Sequence, residues 1–348
     1  NAPDAQSLLA AREKAVALIK HLVTTTTTAE LRFCLNTADE YYLGEKEFYD
    51  EKMPELQVAL LDFYKAFLAS EHVDAALRDG LNPLVVKQYE CSVRSSDPKI
   101  VKDAAKENRL VTRYVKIMSD LTVEFRGETL PFTVVKKYFA DKDRQTRKEA
   151  YCAFGKALEA VSDEIDDIFD QLIRLRNQMA RKLGYDNFIP LGYDRLGRVG
   201  FTRAQTDVFA ENVLSEYVPL IDEMKRSIGK KIGIDALKLY DNDSWFVSGN
   251  PAPTGTPEEM FAAAKDMYHD MDADAGKFFD SMLQADAFDV LSRKGKWGGG
   301  FCTSFPDYRQ PFILANFNGT SADVDVLTHE AGHAFADYMM YRQNNDYE

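Results

Sequence analysis

The sequence predicts a mainly α-helical fold with a small β-sheet close to its C-terminal helix. Long stretches alternate apolar with charged residues and carry few breakers, as in Ala5 to Leu22, Pro54 to Leu68 and Pro98 to Met118. Strand-like runs are short and confined to two places. With 348 residues, 45% of them hydrophobic and 12% aromatic, the chain has material for a large core and for more than one domain.

In chain order, the N-terminal helices are interrupted at Thr24 to Thr28, where five consecutive β-branched residues suggest a junction between helices. Leu121 to Phe125 and Thr129-Leu130, joined by Arg126-Gly127-Glu128, read as a hairpin. Helix resumes from Asp141 to Leu183, as one element or as two broken near Gly155. Asp241 to Pro257 is a loop, suited to a connector or a flap, and Thr256-Pro257-Glu258-Glu259 starts the next helix. Gly298 to Phe305 and Pro311 to Phe317 read as two strands around a Pro306-Asp307 turn. Three glycines at the head of the first suit either a close backbone approach, as by an extended peptide added to a sheet edge, or a plain turn into the hairpin. The last helix follows at once, with Ser321 or Asp323 as its cap and no proline from Ser321 onward.

Net charge is −13 and the pI is near 5.0, which argues against nucleic-acid and anionic-membrane partners, since both call for a basic surface. Cys34, Cys91, Cys152 and Cys302 form no CxxC pair, so neither a disulfide framework nor a thiolate metal site is indicated. No apolar run is long enough to span a membrane, and no basic segment followed by an apolar one opens the chain. A reducing cytoplasm is the expected location.

The last helix carries His329-Glu330-Ala331-Gly332-His333. A helix advances about 100° per residue, so histidines four apart differ by about 40° and can close on one metal ion, with Glu330 at the edge of the same face. This spacing points to one zinc ion held by His329 and His333, with Glu330 as a general base. A catalytic zinc needs a third protein ligand, which the motif does not contain. The competing reading makes both histidines hydrogen-bonded core residues. Val324, Leu327, Ala331, Ala334, Phe335 and Tyr338 lie opposite the histidines and would bury the helix. Asp325 and Asp337 flank the rings and could accept the second ring N–H of a ligand histidine; otherwise Asp325 favours the helix dipole and Asp337 is solvated.

Several segments together resemble the oligoendopeptidase F branch of the thimet oligopeptidase family of zinc peptidases: GGGFCTSFPDY (Gly298 to Tyr308), PFILANFNGTSADVDVLTHEAGHAF (Pro311 to Phe335), LRNQMARKLGYDNFIPLGYDRLGR (Leu175 to Arg198) and WFVSGNPAPTGTPEEM (Trp245 to Met260). The resemblance implies a two-lobed helical zincin-type metallopeptidase, with residues 1–130 as an N-terminal helical region and 131–348 as the N-terminal portion of the catalytic domain. It implies a zinc-dependent endopeptidase acting on short unfolded peptides, with His329 and His333 as ligands and Glu330 as base. It also implies a substrate-pairing edge strand at Phe312 to Phe317, where the backbones of Ala315 and Asn316 would touch substrate.

The same resemblance places the third ligand on a later helix, beyond what this sequence supplies. Asp337 lies too near His333, and Asp346 and Glu348 would need an unusual fold-back. The expectation is therefore a truncated or cleaved N-terminal part of a longer enzyme, partnered by its C-terminal fragment and weak in zinc binding alone. The alternative is a catalytically inactive helical protein that binds peptides or a partner. An exopeptidase would need a group that captures a free peptide terminus, for which Arg195 and Arg198 are the candidates, although arginine there also suits a structural ion pair.

Overall fold

A computed structural model describes residues 2–343. It is mainly helical with two small sheets. The N-terminal part comprises α1 (Ala5–Leu35), α2 (Glu40–Leu68), α3 (Val73–Arg78), α4 (Pro83–Ser95) and α5 (Val101–Asp120). The threonine run does not break α1: Thr25, Thr26 and Thr28 return their hydroxyls to the carbonyls of His21, Leu22 and Thr24, so the helix accommodates them. Thr24, buried, instead accepts the backbone N–H of Asp307 and ties α1 to the turn between the C-terminal strands.

Pro54 lies inside α2, where it lacks the N–H that the Asp50 carbonyl would accept. Asn108 on α5 supplies the missing donor at 2.9 Å, and Thr112 binds the buried Asp50 carboxylate at 2.5 Å. The most intimate helix pair of the N-terminal part is thus joined at the point where one member is weakest.

β1 (Thr122–Phe125) and β2 (Glu128–Pro131) form the expected hairpin. Arg126 and Gly127 both have positive φ, 53° and 83°, as a two-residue turn with the twist of the strands requires. The expected division at residue 130 falls inside β2. The hairpin shares a core with α6 (Phe132–Val135) and α7 (Arg144–Glu159), through Val123, Phe125, Phe132, Val135 and Ala150. α7 and α8 (Ser162–Lys182) are separated at Ala160-Val161, so Gly155 is an ordinary position within α7. α9 (Phe188–Arg195), α10 (Arg203–Asn212), a π-helical turn (Val213–Tyr217) and α11 (Val218–Lys231) follow. Residues 242–256 form no helix or strand, and Thr256 caps α12 (Pro257–Met271) in a capping box with Glu259.

α13 (Ala273–Gln284) leads into a three-stranded sheet of β3 (Phe288–Leu291), β4 (Phe301–Phe305) and β5 (Gln310–Phe317). The order is β3-β5-β4, with β3 parallel and β4 antiparallel to β5. β3, which the sequence pattern did not reveal, makes β5 the central strand. Ile313, Ala315 and Phe317 pack with α12, α13 and α14 (Ser321–Arg342), while Leu314 packs on the other face with Leu31, Phe33 and Cys34 of α1. Lys296 closes one end of the sheet: its buried ammonium donates to the carbonyls of Asp289 at 2.9 Å, Leu291 at 3.1 Å and Ala315 at 2.5 Å, and to the Asp289 carboxylate at 2.7 Å.

Two predictions follow from these joints. Asn108→Leu leaves the Asp50 carbonyl without a donor and is expected to lower stability by about 1–3 kcal/mol in urea unfolding, the cost of an unpaired buried acceptor; an unchanged midpoint would contradict the role. The second concerns Asp241, buried against Arg144 and Arg147 at 2.8 Å each. Burial alone would push its carboxyl up, but the arginine hydrogen bonds outweigh it and hold the pKa at about 2, below the ordinary 3.8. A lowered folded-state pKa contributes stability above pH 4 that is lost as pH falls toward 2, about 2 kcal/mol here. Asp241→Asn should be less stable at pH 6 and should lose less between pH 5 and pH 3 than the wild type; parallel profiles would contradict the assignment.

Candidate active site

α14 alternates a core face with an open one. Asp323, Leu327, Glu330, Ala331, Ala334 and Tyr341 are buried, at the three- and four-residue spacing of a single helical face. Val324, expected on that face, is 43% exposed, and Val326 packs there instead. Neither Ser321 nor Asp323 caps the helix in the expected way: Thr320 occupies the cap position. The Asp323 carboxylate accepts the backbone N–H groups of Asn318 and Gly319 at 3.0 and 2.7 Å, fixing the turn that delivers β5 into α14.

His329 and His333 are both exposed on the opposite side, with ring centroids 4.9 Å apart and planes at 83°. They are not core histidines. A Cβ added at Gly332, between them, would meet no atom within 4 Å, so the space over this face is open. Two imidazoles one turn apart with free space above them fit zinc as two of its donors. Glu330 lies at the border of the two faces, 9% exposed, beside the pair. Among the described residues no group of three or more His, Cys, Asp and Glu side chains could hold a metal, so the third donor is not among them. Asp346 and Glu348 lie outside the described residues.

Asp337, half-buried one turn past His333, is the flanking acid placed near the pair. Burial pushes its carboxyl up, while a Ser304 hydrogen bond and the His333 charge draw it down. Ser304 also bonds the Tyr341 hydroxyl at 2.7 Å, so β4 and the last turns of α14 share a polar contact beside the site. Asp325 is exposed and hydrogen-bonds neither histidine. Cys302 sits behind Glu330 and Asp337; burial, then the two carboxylates, push its thiol up to about 12, which keeps it protonated and unreactive.

The expected substrate contacts Ala315 and Asn316 lie on β5, just past the stretch of that strand that pairs with β4. β5 is the central strand rather than the expected edge strand, with β4 paired to it over residues 310–314 and β3 on its other side. The Ala315 carbonyl is taken by Lys296, and the Asn316 side chain donates to the carbonyls of Trp297 and Gly299 at 2.8 Å each. The free edge nearest α14 belongs to β4. Two of the preceding glycines make room for aromatic rings: a Cβ on Gly298 would fall 2.2 Å from the Phe132 ring, and one on Gly299 2.0 Å from the Trp297 ring, while Gly300 faces the backbone of β5. Lys296, Ser304 and Tyr341 carried no sequence signal, because a lone lysine, serine or tyrosine gains its role only from tertiary neighbours.

Arg195 is an ion pair rather than a terminus receptor, bonded at 2.8 Å to the buried Glu107, which Arg176 also binds at 2.7 Å. The Arg198 guanidinium stacks on Tyr193. The loop at 242–256 reaches the start of α14, where Asn250 and Pro251 meet Asn318 and Thr320 around a cavity of about 290 Å³. No described helix is long and apolar enough to cross a membrane.

Comparison with known proteins agrees with this geometry. Residues 1–96 match the peptidase M3 N-terminal domain, and residues 258–346 match peptidase family M3. A search of curated proteins finds no match. Among solved structures, one described as an oligoendopeptidase F has a TM-score of 0.94 and 33% identity, covering 97% of this chain and 60% of that one. Another, from Bacillus anthracis and given the same description, has a TM-score of 0.91 and 33% identity, covering 96% and 60%. PZ peptidase A, solved with an inhibitor, has a TM-score of 0.94 and 33% identity, covering 97% and 60%. The chain therefore spans about 60% of the length of these three structures. With two models of the family matched at its two ends and the fold shared along nearly its whole length, the chain belongs to peptidase family M3, in the oligoendopeptidase F branch.

Proposed function

We propose that this chain provides the scaffold, two metal donors and the general base of a zinc-dependent endopeptidase acting on short, unfolded oligopeptides. The observation that carries the reading is the exposed His329–His333 pair with Glu330 at its edge. His329 and His333 would hold zinc, whose chemistry when bound is to polarise the scissile carbonyl and to lower the pKa of water toward ~7. Glu330 takes the proton from the attacking water and returns it to the leaving amine. Its place between the core and the open face suits this task, because helix packing limits where the carboxylate can point while leaving it in reach of solvent. Asp337, one turn past His333, would accept the second ring N–H of that histidine and so orient it. Cys302, held protonated, does not compete as a nucleophile or ligand.

The extended peptide pairs with the free edge of β4, beside α14, by main-chain hydrogen bonds that any sequence can supply. Short unfolded substrates are favoured on that ground, since only an extended backbone can add a strand. The third donor comes from polypeptide outside the described residues, as the longer relatives suggest. Arg195, already paired, gives no support to an exopeptidase. Free thiols at all four cysteines support a reducing cytoplasm.

Purified with zinc, the native protein carrying this chain should cleave quenched-fluorescent oligopeptides, and Glu330→Gln should lower kcat by about 10²–10⁴-fold while retaining zinc. Wild-type turnover by the zinc-loaded variant would overturn the role of Glu330. The 348-residue chain alone should bind zinc weakly, lose that binding with His333→Ala, and show little cleavage.

A further inference from the structure

β4 runs along α14, and every second residue of the strand faces that helix. A Cβ on Gly300 would lie 3.4 Å from a Val326 methyl, Cys302 lies against Glu330 and Asp337, and Ser304 reaches Asp337 and Tyr341. The alternate residues Phe301 and Phe305 pack on the other side, with Leu31 and Phe33 of α1. Within the row that faces α14, Ser304 alone carries a hydroxyl, and it stands where the helix turns from the histidine pair toward its end.

The hydrogen bonds of that hydroxyl allow one direction. An ionised carboxylate only accepts, so Ser304 donates its O–H to Asp337 and takes on its own oxygen the O–H of the buried Tyr341, 2.7 Å away. Asp337 lies four residues past His333, the spacing at which side chains on a helix meet. With one carboxylate oxygen held by Ser304, the other is left for the His333 ring N–H. An acceptor fixed at one ring nitrogen decides where the proton sits and which nitrogen is left for a metal.

We propose that Ser304 is a positioning residue of the metal half-site: its hydroxyl, oriented by Tyr341, holds the Asp337 carboxylate against His333 and so fixes the tautomer and the aim of that imidazole. The inference rests on the metal-binding reading above and deepens it, by placing a support of one donor on β4, the strand whose free edge is assigned to the peptide. A serine that merely joined strand to helix would leave the His333 ring indifferent to its hydroxyl.

The imidazole itself gives the readout. In the metal-free chain labelled with nitrogen-15 histidine, the His333 ring nitrogens, assigned by their loss in His333→Ala, should report a single tautomer at about pH 8.5, where an imidazole is ordinarily neutral. Ser304→Ala/Tyr341→Phe, which leaves neither hydroxyl without its partner, should average the two tautomers while keeping the wild-type circular dichroism. Ser304→Thr, which keeps the hydroxyl, should restore the single form. Zinc affinity, measured by competition with a chromophoric chelator, should fall about tenfold or more in the double variant and recover in Ser304→Thr. An averaged His333 ring in the wild type, or a tautomer or zinc affinity unchanged in the double variant, would overturn the proposal. Losses that Ser304→Thr fails to restore would also overturn it, assigning Ser304 to the joint between strand and helix alone. Neither readout uses cleavage, so a native protein that cuts no peptide while both results hold would leave the role of Ser304 standing and sink the peptidase reading.

Discussion

The arrangement of this protein depends on burying both faces of one strand. β5 presents Ile313, Ala315 and Phe317 to the C-terminal helices and Leu314 to α1, and all four are at most 7% exposed. A strand buried on both sides can neither slip by one residue nor turn over, because either would drive its apolar set into a different environment. α14 is thereby held against one face through Leu327, Ala331 and Ala334, and the histidines, on the far side of the helix, look outward. The Lys296 ammonium holds the sheet at one end, where an unpaired charge would be costly. The Asp323 carboxylate holds the turn from β5 into α14.

The same logic separates what was legible in the sequence from what was not. The histidine pair, the helix that carries it, the hairpin and the two C-terminal strands all follow from local spacing, and local spacing survives folding. The threonine run misled because a β-branched residue disfavours helix only weakly, while hydroxyl bonds to carbonyls four residues back and a tertiary contact at Thr24 retained it. β3 escaped notice because a four-residue parallel strand has no periodicity of its own, and it makes β5 the central strand where the resemblance implied an edge. Asp323 passed for a cap, whereas its carboxylate serves backbone groups upstream of the helix. In each case a non-local partner overrode a local signal.

The site divides its work in space. The two imidazoles stand in the open, Glu330 stands at the border, and Cys302 lies behind with its thiol held neutral. On the proposed reading, this separation would keep the metal donors accessible while packing steers the base. What the described residues do not contain is a third donor.

The central claim is that His329 and His333 together form a metal half-site on α14. Zinc K-edge X-ray absorption of this chain with one equivalent of zinc tests it most directly. The account predicts two imidazole nitrogens with the remaining coordination filled by oxygen, and one imidazole fewer in His329→Ala. Sulfur in the coordination shell, or a spectrum unchanged by His329→Ala, would contradict it.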